Sequence, residues 1–235
     1  MLDISVTMTA NHRPEYFEKV LASWARVHGV YSSMMSCQFE PVVNGNETSI
    51  NLYRQYFPMG GYGINLEKMG PLGNPFMALD EAFNSGADFV ILGEDDSIVS
   101  PDVFNYFAWA ASEYQYDPKV FAVCSFTHHY PNPKPNQVFR QNWFASVVWG
   151  TWRDQWLDWI RPNWGWHYSD DEWDLRFVQH VNQEDLVCIY PEYSRSQHIG
   201  VNGAHMSESQ FRALQADRIY DGTLINYFKE APCRL

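Results

Sequence analysis

The chain has 235 residues, 46% hydrophobic and 17% aromatic, enough for one large domain or a domain with a subdomain. Its formal net charge of −12, with no cluster of Lys and Arg, argues against strong non-specific nucleic-acid binding. No apolar stretch approaches a membrane span, Met1 to Ser5 has no targeting signature, and Cys37, Cys124, Cys188 and Cys233 form no C-x-x-C pair, so a soluble protein of a reducing compartment is expected.

Ile4 to Met8 alternates apolar with small polar residues and predicts the first strand. Ala10-Asn11-His12-Arg13-Pro14 follows as a loop, and Phe17, Val20, Leu21 and Trp24 recur at helical spacing. Arg13 thus falls at a strand's carboxyl end, placed either to contact a phosphate or base or as an ordinary surface arginine. A second strand is expected to end at Pro41-Val42-Val43. Asn44-Gly45-Asn46 is a turn signal, and Thr48 to Phe57 a short helix. Gly60-Gly61-Tyr62-Gly63 lacks a phosphate-binding spacing and reads as turn chemistry before a strand around Ile64 to Leu66. Asn74-Pro75 opens the next helix and Gly86 closes it.

Phe89-Val90-Ile91-Leu92 is a short continuous apolar run, as expected of a strand buried on both faces, and it ends in Glu94-Asp95-Asp96. Ser100-Pro101-Asp102 then announces a helix to about Tyr114. Ligands of open α/β sheets bind at the carboxyl ends of strands. Three adjacent carboxylates repel one another there, and Mg²⁺ or Mn²⁺ with a substrate phosphate completing its shell relieves the repulsion. Val120 to Cys124 is a further strand, so the first 125 residues read as an α/β, mostly parallel sheet.

The pattern then changes. Thr127 to Asn136 is an irregular, proline-rich loop; His128 and His129 are adjacent on an extended chain and point apart, which disfavours a shared metal. Trp149, Trp152, Trp156 and Trp159 fit one helical face and read as core. Ser169-Asp170-Asp171-Glu172 is a helix start, capped and dipole-complementing; it also suits Asp170 or Asp171 as a general base near the first acidic cluster. Cys188 to Pro191 ends a strand. The loop from Glu192 to His205, with Arg195, His198 and joints at Gly200 and Gly203, suits closure over a ligand, and His198 is a candidate metal or diphosphate ligand. Ser209 to Ala216 reads as a terminal helix.

These pieces resemble, in order, the GT-A-fold, inverting N-acetylglucosaminyltransferase I family. Ala10-Asn11-His12-Arg13-Pro14 is similar to its first nucleotide-contacting loop. Val90 to Asp96 with Ser100 to Phe107 is similar to its acidic motif and following helix. Ser169-Asp170-Asp171-Glu172-Trp173 is similar to its Asp-Asp pair, and Pro191-Glu192-Tyr193-Ser194-Arg195 with Gly200 and Gly203 to its closing loop. The resemblance implies a GT-A (Rossmann-like) nucleotide-sugar-binding fold. Residues 1–125 would be the nucleotide-sugar-binding half, and residues 126–235 the acceptor-binding and closing-loop half of the same single domain. It implies a metal-dependent inverting transfer from a nucleotide-diphosphate sugar, a UDP-sugar, to an acceptor hydroxyl. Asp96 would bind Mn²⁺ (or Mg²⁺) directly, with His198 rather than His205 joining it. Glu94 and Asp95 would contact the donor's sugar and ribose and Arg13 would help hold the nucleotide, while Arg195, with His198, would lie in the donor-binding loop that closes over the donor. Asp170, or alternatively Asp171, would be the base.

The match departs from the family in three places. The membrane anchor and stem of family members have no counterpart here, which suggests a bacterial or viral version working in a cytoplasm. Asn44 or Asn46 stands where the base-reading aspartate is expected. Ser169 replaces a tryptophan before the Asp pair. The acceptor is left open among a glycan, a protein side chain, a lipid-linked sugar and a hydroxylated DNA base. A non-catalytic carbohydrate- or nucleotide-binding module is the rival reading.

Overall fold

The computed structural model describes residues 2–42, 46–164, 173–201, 208–213, 215–216 and 218–231. Elements follow in the order β1 (Ile4–Ala10), α1 (Pro14–Trp24), β2 (Met35–Phe39), α2 (Glu47–Tyr56), β3 (Gly61–Ile64), α3 (Gly70–Asn84), β4 (Phe89–Glu94), β5 (Ser97–Val99), α4 (Val103–Tyr114) and β6 (Val120–Cys124). The second part contributes β7 (Gln137–Gln141), β8 (Trp149–Trp152), α5 (Arg153–Gln155) running into a π-helical turn at Trp156–Ile160, α6 (Trp173–Gln183), β9 (Val187–Pro191), β10 (Ser196–His198), α7 (Glu208–Ala213) and β11 (Lys229–Glu230).

Among the described residues nine strands form one sheet in the order β11-β7-β9-β6-β8-β4-β1-β2-β3. Strands β3, β2, β1 and β4 are mutually parallel; β8 runs antiparallel between β4 and β6, and β9 is parallel to β6. Six strands therefore point one way, and their carboxyl ends share one edge. The expected α/β, mostly parallel sheet is present.

The apolar run of β4 shows how one strand serves two cores. Phe89 and Ile91 join the layer packed by α1, α2 and α4, while Val90 and Leu92 join the layer containing α3, the π-helical turn and α6. All four are at most 1% exposed, and burying such a side chain is worth about 1.5–3 kcal/mol. This double burial erases any alternation and leaves the continuous run seen in the sequence.

Several boundaries differ from expectation. α3 starts at Gly70, four residues before Asn74, because Pro71 sits in its first turn and the Glu40 carboxylate accepts the amides of Met69 (2.9 Å) and Gly70 (2.6 Å). Gly61 and Gly63 lie inside β3 rather than in a turn; a Cβ at Gly63 would come 2.3 Å from Gln38 Oε1 on β2. Trp149 and Trp152 do not share a helical face with Trp156, for they bound the four-residue strand β8. Their reading as core stands: Trp149, Trp152 and Trp156 are at most 5% exposed.

Candidate active site

The acidic residues sit where β4 runs out. Glu94 is its last residue, and Asp95 and Asp96 make the turn into β5. At the neighbouring end of β1, the Asn11 amide donates to Asp95 Oδ2 (2.9 Å). The Arg13 guanidinium bonds Asp95 Oδ1 and lies 2.8 Å from Asp96 Oδ2. Parallel pairing of β1 with β4, Thr9 opposite Glu94, brings the two loops together.

His198 arrives from a hundred residues later. β10 pairs antiparallel with β5, Ser196 opposite Val99 and His198 opposite Ser97, and the Ile199 amide donates to the Asp96 carbonyl (2.7 Å). This register sets His198 Nε2 3.2 Å from Asp96 Oδ2. Asp96 Oδ1 and His198 Nδ1 are buried and, among the described residues, have no hydrogen-bond partner. Gly200 packs so close that a Cβ there would stand 2.3 Å from Asp96 Oδ2.

Charge is distributed unevenly. Burial pushes Asp96 up, but His198 and Arg13 outweigh it and hold the carboxyl below its ordinary range. Burial raises Asp95 against the pull of Arg13, with Asp96 adding to the rise. Glu94 is pushed up to about 8 by desolvation and by Asp96, Asp95 and Asp174, with Arg13 opposing. Asp174 lies in the first turn of α6, and its carboxylate accepts from Ser146 Oγ (3.3 Å). Asp174 thus comes within electrostatic reach of Glu94. Asp170, Asp171, Asn44 and His205, singled out from the sequence, lie outside the described residues.

Arg195 is not where a donor-contacting residue would be. It is fully buried. Its guanidinium forms a fork to Asp102 (Nε to Oδ1 3.2 Å, Nη2 to Oδ2 3.1 Å), donates to the carbonyls of Tyr193 and Pro135, and lies over Tyr220 at 4.3 Å. It anchors the segment that becomes β10 to the start of α4, and so positions His198 indirectly. The sequence left its partner unread because Asp102 stood inside a helix-start signal.

Sequence reasoning also passed over Glu40. It follows β2, is 5% exposed, and spends its carboxylate on the start of α3. Asn46 supports the same corner, donating to the carbonyls of Glu40 (2.9 Å) and Pro41 (3.1 Å). An acid directly after a buried strand was the available signal.

Among the described residues no group of three or more His, Cys, Asp or Glu is arranged to hold a metal ion. Asp96 and His198 offer two donors. That number suits a hard divalent cation whose remaining positions go to phosphate and water, and the partnerless Asp96 Oδ1 fits such a role.

The chain is 30% identical over 151 residues to the alpha-1,3-mannosyl-glycoprotein 2-beta-N-acetylglucosaminyltransferase of Arabidopsis thaliana, covering 63% of this chain and 33% of that one. It therefore spans about a third of that relative. The structure resembles GalNAc-T7 with UDP, GalNAc and Mn²⁺ (TM-score 0.61, 11% identity, 90% of this chain and 47% of that one). It also resembles S. aureus TarS 1-349 in complex with UDP-GlcNAc (0.58, 12%, 88% and 61%). A third is the mannosyltransferase PcManGT from Pyrobaculum calidifontis in complex with GDP-Man and Mn²⁺ (0.55, 13%, 81% and 55%). At such identities these likenesses establish the fold, a GT-A, Rossmann-like nucleotide-sugar fold of glycosyltransferases. The GNT-I family profile matches residues 76–229, well over half of the chain and the stretch that holds both the acidic turn and His198, and the chain belongs to the GNT-I family.

Proposed function

We propose that the protein is a metal-dependent inverting glycosyltransferase that moves a sugar from a nucleotide-diphosphate donor, a UDP-sugar, to an acceptor hydroxyl. The observation that carries the reading is the meeting of Asp96 with His198, 3.2 Å apart at the strand ends, with Asp96 Oδ1 left without a partner among the described residues. Asp96 and His198 would hold Mn²⁺ or Mg²⁺, which when bound supplies Lewis-acid stabilisation to the leaving diphosphate. Arg13 holds Asp95 and Asp96 in place, and its half-buried guanidinium is positioned to turn to the nucleotide. Asp95 and Glu94 face the donor's ribose and sugar. Glu94 is pushed up to about 8 by desolvation and by its acidic neighbours, with Asp96 first among them.

Asp170, with Asp171 as the alternative, is the proposed base that takes the acceptor's proton. The support is the proximity of Asp174, at the start of the helix these residues precede, to Glu94. One displacement at the anomeric carbon inverts its configuration. Buried free thiols at Cys37, Cys124 and Cys188 support a cytoplasmic setting for the reaction.

The test is nucleotide release from a panel of UDP- and GDP-sugars with and without Mn²⁺. Metal-dependent release from one donor, lost in Asp96→Ala, is expected. No release and no metal-dependent nucleotide binding from any donor would end the proposal and favour a non-catalytic module.

A further inference from the structure

The two edges of the large sheet are finished differently. At one edge β11 is two residues long and both are charged, Lys229 and Glu230, with Glu230 paired to Arg140. Short strands and charged side chains keep a sheet edge from adding another strand. At the other edge β3 runs Gly61-Tyr62-Gly63-Ile64, exposed and with neither charge nor proline, and nothing among the described residues pairs with its outer side.

The surroundings of β3 share this character. From Gln55 to Leu66 the chain carries no charged residue. Of the twelve large hydrophobic side chains exposed among the described residues, five belong to this edge: Tyr31, Met59, Tyr62, Ile64 and Leu66. The Met59 amide donates to Ser32 Oγ (2.8 Å), which brings the turn carrying Tyr31 alongside. Single exposed hydrophobics are ordinary, but a contiguous group of them marks a contact surface.

The backbone sets the geometry of that contact. The Asn65 amide donates to the Phe39 carbonyl (2.9 Å) on β2, and backbone groups alternate in direction along a strand. Gly61 and Gly63 therefore turn their N–H and C=O towards β2, while Tyr62 and Ile64 turn theirs outward. A second copy of β3, laid antiparallel, presents the same two residues in reverse order. Tyr62 of each copy then stands opposite Ile64 of the other, and both residues give and accept a hydrogen bond. Gly63, already required by Gln38 behind it, falls opposite its counterpart where the two backbones come closest, roughly 4.5 Å between Cα atoms. The Tyr62 ring lies on the face of Phe39, 6.3 Å between centroids, and Ile64 shares that face. Each cross-strand pair thus sets an aromatic ring against a β-branched side chain, a favourable combination.

We propose that β3 is the contact between two copies of this chain, joined β3 to β3 about a two-fold axis at Gly63. Charge selects the occupant. A chain of net charge −12 repels its own copy over most of its surface, and the uncharged edge is where that repulsion is weakest. A basic peptide, the partner an acidic protein otherwise attracts, finds no carboxylate between Gln55 and Leu66 to hold it. The contact is isologous, so it closes at two copies. Antiparallel pairing turns the two sheets end for end, and the acidic turns open at opposite edges of the joined sheet. Neither copy completes the other's site, and the proposal does not rest on the glycosyltransferase reading.

The experiment is sedimentation velocity from about 1 to 100 μM, with residue-resolved amide exchange on the same protein. The chain is expected to pass from monomer to dimer, and the amides of Tyr62 and Ile64 to slow in exchange as it does. Raising salt from about 0.05 to 0.5 M should tighten the dimer severalfold by screening like charges. Tyr62→Pro removes an outward N–H and no inward one, and Ile64→Asp adds a charge at the contact; each should weaken association at least tenfold with Tm retained. Tyr116→Asp, at an exposed hydrophobic elsewhere, should leave it unchanged. If one variant misfolds the other decides, and exchange in the unaltered protein needs neither. A protein monomeric at every concentration overturns the proposal. So does a dimer that survives both variants, one that loosens with salt, or one that leaves exchange at Tyr62 and Ile64 unchanged.

Discussion

Gly200→Ala isolates the contact on which the Asp96–His198 pairing depends. Gly200 does not have a positive φ, so alanine meets no backbone penalty there and the effect is steric. The new Cβ would stand 2.3 Å from Asp96 Oδ2 and 2.9 Å from its Cγ, the first about 1.1 Å inside the 3.4 Å at which ordinary contact begins. Neither side gives way easily. Asp96 is held by Arg13 and His198, and the Ile199 amide is bonded to the Asp96 carbonyl. Overpacking of this kind costs about 1–3 kcal/mol. If the cost falls on the carboxylate's position, metal-dependent nucleotide affinity drops about 5- to 150-fold. Calorimetric titration of UDP in the presence of Mn²⁺ measures this, with Gly61→Ala as control because its Cβ would meet Ser36 Cβ only at 3.9 Å. A Gly200→Ala protein with native UDP–Mn²⁺ affinity and native Tm would refute the packing of Gly200 on Asp96.

Arg195→Met should strip the buried Asp102 of its partner at a cost of about 3–5 kcal/mol, a fall in Tm on the order of 10 °C by calorimetry; a shift of 2 °C or less would contradict the assignment of Arg195 as an anchor. Asp170→Asn and Asp171→Asn, assayed separately, should leave UDP–Mn²⁺ binding intact, and one of them should abolish transfer to acceptor; transfer at native rates in both variants would remove the proposed base. His180 stacks on Trp159 with ring centroids 3.6 Å apart, and burial lowers its pKa against an opposing pull from Glu184. The unfolded chain therefore takes up the proton more readily, so this contribution to stability is complete above the ordinary value of about 6.5 and is lost as pH falls below it. His180→Phe should flatten the decline of Tm between pH 7.5 and pH 5; an unchanged pH profile would show that the stack does not penalise protonation.

The legible parts of the chain were those where local pattern and tertiary role coincide. The run at Phe89–Leu92 is apolar because both faces are covered, and the carboxylates begin where the strand ends, so strand and site announced each other. α1 was readable because only one face is buried. β8 was not: Trp149 and Trp152 fall three apart as on a helix, and a four-residue strand enclosed on all sides shows no alternation. Arg195 read as part of a loop that closes over the donor, and only the fold reveals that Asp102, 93 residues away, takes its charge. The partnership of Asp96 with His198 was an expectation from family likeness; its physical cause, a three-residue antiparallel ladder, has no local signature.

The placement of β8 also has a consequence for synthesis. Its position between β4 and β6 means that those two strands, both complete by Cys124, remain without their shared neighbour until Trp149–Trp152 has been made. At about 5–20 residues per second, the 28 residues from Cys124 to Trp152 take roughly one to six seconds. During that time two strongly apolar ladder edges are open in the nascent chain. Truncation anywhere between Cys124 and Trp149 would make that exposure permanent, so fragments ending there should be bound by chaperones or aggregate, although they contain every strand of the parallel half.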